Sequence, residues 1–317
     1  MKNRRRPLLL GSSMIAAQAA LASTALIASM QAKASCLSVS TDTVISDASN
    51  NCVDWTGGNL SATASGVLVG SNTAITASGT PGALTNSGTI SGSQYGVKSS
   101  GTIGTIENSQ IISSNVTAIL ASGNISTITN SGVISGGSAN DGILNNGTIN
   151  LVTNTKMIVG GYSGVANNGT ISRISNSGTI GGIGATMAGN GIGNGGTISQ
   201  ITNSGTISGK SNGIVNAGGM IGTISNNGTV TGTNGIGVND LGGVMSSIVN
   251  TGYITGYYNA VHVTGTGSNG TIGVIRNDGI LGYTTPVSAC GSCAAISSPS
   301  YSSRPRMFAA RHTISYR

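Results

Sequence analysis

Bulky aromatic side chains are almost missing from this 317-residue chain: Phe and Trp occur once each, and aromatics make up 3% of residues. A globular core built around aromatic fillers is therefore excluded. Charge is equally scarce, at 7% of residues, and the formal net charge of +7 sits at the chain ends. Lys2, Arg4, Arg5, Arg6 and Lys33 lie at the start, and Arg304, Arg306, Arg311 and Arg317 at the finish. Between Ser35 and Ser300 five basic residues face seven acidic ones, a balance of −2, so no basic stripe is left for nucleic acid. Proline occurs only five times and cysteine four times. After residue 34 no apolar run is long enough to cross a bilayer as a helix.

What is abundant is Gly, 52 times, with Ser, Thr and Asn. Such composition often marks disorder, because a polar chain buries too little apolar surface to offset its ordering entropy. Here Ile and Val recur at regular intervals among the polar residues, and the mean hydropathy is +0.17. That regularity points to an ordered repeat.

The clearest repeating unit is NSGTISG, starting at Asn86, Asn130 (as NSGVISG), Asn176 (as NSGTIGG) and Asn203. Looser copies start at Asn108, Asn154, Asn226, Asn250 and Asn277, and successive starts lie 22, 22, 24, 22, 27, 23, 24 and 27 residues apart. Each repeat also holds a short apolar segment, such as Gly142-Ile143-Leu144-Asn145, and a GTI-like segment, such as Gly147-Thr148-Ile149. A second apolar residue follows the GTI isoleucine at a spacing of three, as in Ile149/Val152 and Ile171/Ile174. A straight strand sends residues three apart to opposite faces, so the spacing predicts a bend between them.

Three short strands per repeat, with Gly- and Asn-rich corners, describe one coil of a triangular parallel β-helix. The expected fold is all-β, a solenoid of 9–11 coils of 22–27 residues over positions 62–282. Coil lengths that vary fit the right-handed type better than hexapeptide-based left-handed ones. Stacked at about 4.8 Å per coil, the Ile and Val positions form ladders along a narrow lumen. The corner Asn residues are placed to hydrogen-bond from coil to coil, as Asn ladders do in cross-β assemblies.

Positions 1–34 have the anatomy of a secretory signal peptide: basic residues, an apolar stretch, then Ala32-Lys33-Ala34 as a small-x-small cleavage site. Positions 35–61 precede the repeat and read as an N-terminal cap containing Trp55; positions 283–317 read as an irregular tail. In an exported chain the close pairs Cys36/Cys52 and Cys290/Cys293 are each suited to a local disulfide.

Tandem NSGTISG units behind a signal peptide resemble the passenger domain of bacterial autotransporters, over roughly Ala62 to Gly282. The resemblance implies export to the cell surface, outer membrane or extracellular space, and a scaffold or adhesin role toward host or neighbouring-cell molecules, protein or glycan. Such passengers are carried by a C-terminal outer-membrane β-barrel. The thirty-five residues after Gly282 leave no room for one, so the translocator is expected to be supplied elsewhere or lost, or the chain to be a fragment of a full-length autotransporter.

Nothing in the sequence marks a cofactor or metal site, and the chain is not expected to be an enzyme. His262 and His312 are the only histidines; His262 alternates with Val261 and Val263 and reads as an outward, solvated strand residue. The competing reading is a secreted polysaccharide-active β-helix enzyme, which needs carboxylates close enough to cooperate. Glu107, Asp141, Asp240 and Asp278 stand alone in sequence, many residues apart; Asp42, Asp47 and Asp54 lie near one another but precede the regular repeat and read as part of a solvated cap. The densest aromatic cluster, Tyr253, Tyr257 and Tyr258, is the candidate binding platform.

Overall fold

A computed structural model of the chain describes residues 36–49, 52–184, 189–264 and 270–283, together with the backbone of 294–297 and 312–315. The expected signal peptide, Cys290 and Cys293 lie outside these residues. Among the described residues every element is a strand, and these strands form three sheets of 12, 12 and 11 members. Strand order within each sheet rises in steps of three, so the chain visits the sheets in rotation, here called A, B and C. Nearly all neighbours pair in parallel and in register, as Ile125↔Ile149 and Ile149↔Ile171 do. This is a parallel β-helix, and the eleven strands of sheet C count eleven coils.

β-Branched residues drive the strands, since Ile, Val and Thr fit an extended, pleated surface. In sheet C the unit Thr-Ile-Ser-Gly (Thr206–Gly209) alternates half-buried and buried, with Ile207 inside. Sheet A contributes segments such as Ser163–Asn167, with Val165 inside. Sheet B carries the longest strands, seven residues each, as in Thr148–Asn154 and Thr170–Asn176. Both Ile149 and Val152 are fully buried despite their spacing of three. The register explains this: Thr148 and Ile149 pair with Thr170 and Ile171, pairing then skips Asn150 and Ser172, and it resumes at Leu151↔Arg173. The skipped position, Gly, Ser or Asn in successive coils, is the bend that the spacing predicts.

Four apolar ladders fill the lumen. One runs through Ile103, Ile125, Ile149, Ile171 and Ile198, and another through Ile106, Ile128, Val152, Ile174 and Ile201, each at most 1% exposed. Sheets A and C add the other two, among them Val165 and Ile192, and Ile180 and Ile207. Burial of each such side chain contributes roughly 1.5–3 kcal/mol. Four per coil sustain a core that needs no aromatics. Among the described residues the only proline is Pro81, in a corner between strands Thr73–Ala77 and Ala83–Asn86, where no ladder hydrogen bond is lost.

The solenoid reaches further toward the N-terminus than the repeat does. The segment expected as a cap supplies strands Leu37–Val39, Thr43–Ile45 and Ala48–Ser49 to coil 1, and Val53–Trp55 and Leu60–Ala62 to coil 2. Trp55 is fully buried within coil 2, in register with Val39 and Ala77, and its ring N–H donates to the Gly58 carbonyl at 3.1 Å. It fills the lumen and does not lie over its end. Within the segment expected to be irregular, Ala294–Ser297 adds a parallel strand to sheet A and His312–Ser315 an antiparallel one to sheet B.

Candidate functional site

The nine corner asparagines form one continuous chain of hydrogen bonds at the end of the sheet B strands. Each side-chain amide donates to the next Asn Oδ1, from Asn86 through Asn108, Asn130, Asn154, Asn176, Asn203, Asn226 and Asn250 to Asn277, at 2.7–2.8 Å. The amides also reach backbone carbonyls, as Asn130 does to Gly132 at 3.0 Å and to Met157, one coil on, at 2.9 Å. All nine are buried. A buried amide is costly without partners, and here donor and acceptor find them in the neighbouring coils. These residues are scaffold, not chemistry.

A second ladder stands at the end of the sheet A strands, where Asn145, Asn167 and Asn194 each precede a GTI-like segment. Asn145, Asn167, Asn194 and Asn216 donate in series at 2.7–2.8 Å, and the last bond is accepted by Asp240 Oδ1 at 2.8 Å. Asp240 is fully buried and its Oδ2 lacks a well-formed partner. Burial raises its pKa; the bond from Asn216 and weaker backbone contacts at Gly243 and Thr271 oppose the rise. Asp141 precedes the sheet A strand of coil 6 and lies against Ser163 of coil 7. Burial pushes its carboxyl up to about 6, against the Ser163 hydroxyl and N–H. Neither Asp141 Oδ1 nor Ser163 Oγ attains full hydrogen-bond geometry, so the contact offsets little of the desolvation.

Cys36 and Cys52 form a disulfide with a Cα–Cα distance of 4.4 Å. Leu37 pairs with Val53 one residue on, so the disulfide joins stacked positions of coils 1 and 2. It ties down the end coil, which has neighbours on one side only among the described residues. Converting both cysteines to serine is expected to accelerate amide exchange in Leu37–Ile45 roughly tenfold, because the cross-link restricts opening of that loop. Exchange in coils 6 to 9, read in the same mass-spectrometric run, should not change.

Other residues singled out from sequence are spread along the rod. His262 is half-buried, not solvated, and burial lowers its pKa; its ladder neighbour in sheet A is the buried Asn239. Among the described residues no group of three or more His, Cys, Asp or Glu side chains is gathered to hold a metal ion. The carboxylates within strands have non-acidic register partners: Ser38 and Thr76 for Asp54, Thr85 and Thr129 for Glu107, Asn216 and Val263 for Asp240.

The tyrosine cluster lies on the surface of coils 10 and 11, with Tyr253, Tyr257 and Tyr258 exposed and the last two rings edge-to-face at 4.8 Å. A second exposed apolar group, Met220, Leu241 and Val244, occupies the corner between sheets A and B in coils 9 and 10. There Gly218 and Gly242, at φ of 76° and 73°, accommodate an extra corner residue in a conformation that other residues resist.

The fold is that of a repeat protein of the parallel β-helix class. No protein-family model, curated protein or solved structure matches the chain.

Proposed function

We propose that the chain is an exported, surface-exposed or secreted scaffold of the autotransporter-passenger kind, which binds molecules of a host or neighbouring cell and catalyses no reaction. The observation that carries this reading is how the solenoid uses its residues. Its interior is taken up by apolar and Asn ladders, while the exposed rings of Tyr253, Tyr257 and Tyr258 stand outside at coils 10 and 11. The stacked disulfide at the N-terminal end suits an oxidising compartment, and the resemblance of the NSGTISG units to autotransporter passengers points the same way.

The alternative, a polysaccharide-active enzyme on the same fold, requires two cooperating carboxylates. The strand carboxylates and their non-acidic ladder partners do not favour it.

Expression of the full chain with its own N-terminal segment, and separately fused to an unrelated outer-membrane β-barrel, tests the proposal. The expected results are an oxidised Cys36–Cys52 pair outside the inner membrane, and several-fold more adhesion to cultured cells than the barrel alone gives. Retention of the chain in the cytoplasm with reduced cysteines, or adhesion equal to that of the bare barrel, sinks it.

A further inference from the structure

The outer face of sheet C changes character over its last coils. In coils 7, 8 and 9 the residue opening each strand is Thr179, Thr206 and Thr229; in coils 10 and 11 the same ladder continues as Tyr253 and Ile280. These two are 53% and 44% exposed. At the far end of the coil 10 strand, beyond Gly256, the chain turns through Tyr257 and Tyr258. Their N–H groups donate to the Gly232 and Gly235 carbonyls at 3.0 Å, which holds the corner against the coil below. Tyr253 and Tyr257 are four residues apart, about 13 Å at the rise of a strand.

Between these aromatic borders the floor is low and hydroxylated. Thr255 faces out, with Thr231 and Gly282 as its ladder neighbours, and its hydroxyl donates to Thr231 Oγ1 at 3.0 Å. A Cβ built on Gly282 would meet only two methyl carbons, both at 3.8 Å, so the glycine leaves space where a side chain would fit. Segments 229–235, 253–259 and 280–283 hold no charged residue. Lys210 lies two coils away, and Asp278 sits at the corner before Ile280.

We infer that this trough binds a neutral oligosaccharide. Pyranose rings present C–H faces that lie against aromatic rings, and hydroxyls that exchange hydrogen bonds with Thr and Tyr. A polyanion such as nucleic acid or an acidic polysaccharide needs cations, which the trough lacks. The inference rests on the adhesin reading above and names its ligand class and site.

Titration calorimetry of the full chain with cellohexaose, mannohexaose and laminarihexaose, against a hyaluronan hexasaccharide as the acidic probe, tests it. At least one neutral hexasaccharide is expected to bind with a sub-millimolar Kd. Tyr253→Ala, and the pair Tyr257→Ala with Tyr258→Ala, should each weaken binding roughly tenfold, and Phe at the same positions should retain most of it. Tyr162→Ala, in a distant coil, should have no effect, and circular dichroism checks that each variant keeps its β-structure. Binding that prefers hyaluronan, no binding of any neutral probe, or alanine variants that bind as the parent does overturns the inference. The same variants displayed on cells separate the two claims. Adhesion that survives loss of the tyrosines removes the trough and keeps the adhesin reading. Neutral-sugar binding by a chain that does not promote adhesion does the reverse.

Discussion

Alanine at Asn154 is expected to cost the solenoid about 3–5 kcal/mol, as much as emptying part of its apolar core. Asn154 sits mid-ladder, fully buried; it accepts from Asn130 at 2.8 Å and donates to Asn176 Oδ1 at 2.7 Å and to the Thr179 carbonyl at 3.0 Å. Truncation takes this donor from the buried Asn176 Oδ1 and from the part-buried Thr179 carbonyl in coil 7, and leaves the Asn130 amide with backbone carbonyls alone. A buried polar group left unsatisfied costs about 1–3 kcal/mol, and the space vacated by the amide adds to that. The control is Asn146→Ala. Asn146 is exposed and accepts a single bond from Asn168 at 3.0 Å, so its loss should cost about 0.5 kcal/mol or less. Urea midpoints from circular dichroism measure both. Stability here is close to a sum of coil and nearest-neighbour terms, so faster amide exchange in the Asn154→Ala protein should centre on coils 5 to 7. Equal midpoints for the two variants would show that the ladder follows the fold and does not hold it.

The two Asn ladders differ in how far the sequence reveals them, and the reason is physical. The sheet B ladder recurs within one seven-residue motif, because corner, strand and bend must all repeat for Asn86 to stack on Asn108 and so on to Asn277. The sheet A ladder has a companion pattern only over Asn145, Asn167 and Asn194, each two residues before a Gly-Thr-Ile segment, and loses it at Asn216. Its position is held by Trp55, Ala77, Ser99 and Ala121 in coils 2 to 5 and becomes Asn only from Asn145 on, before corners that vary in length. Coil pairing makes it a ladder, and spacing alone does not disclose pairing. The same limit applies to coils 1 and 2, which lack the NSGTISG motif yet pair in register through Val39, Val53 and Leu60. His262 alternates as an outward residue should, but whether an outward position is wet depends on what packs beside it.

The sheet A ladder also ends on the wrong atom, and this sets the pH dependence of stability. Where Asn216 offers an amide to the next coil, Asp240 offers a second oxygen, buried and poorly partnered. Burial raises the folded-state pKa of Asp240 and carries that of Asp141 from 3.8 to about 6. A raised pKa means that the folded chain holds its proton more tightly than the unfolded chain does. The stabilising contribution is therefore complete below pH 3.8, declines as pH rises toward 6, and is absent above. Burial lowers the pKa of His262, which gives the opposite slope, so the test uses the His262→Gln protein, whose urea midpoints should fall between pH 4 and pH 6.5, opposite to the acid lability that paired carboxylates confer. For Asp141 the shift corresponds to about 2 kcal/mol once the solvent exposure of this half-buried group is allowed for. The double variant Asp141→Asn and Asp240→Asn should gain about 2–3 kcal/mol at pH 7.5, nothing at pH 3.5, and lose most of the slope. Asparagine at 240 also extends the ladder by one amide, so Asp240→Asn alone should stabilise more at pH 7.5 than Asp278→Asn, an exposed carboxylate in the final corner. A His262→Gln protein whose midpoint rises from pH 4 to pH 6.5, or a double variant in that background with an unchanged slope, would mean that water reaches these two carboxyls.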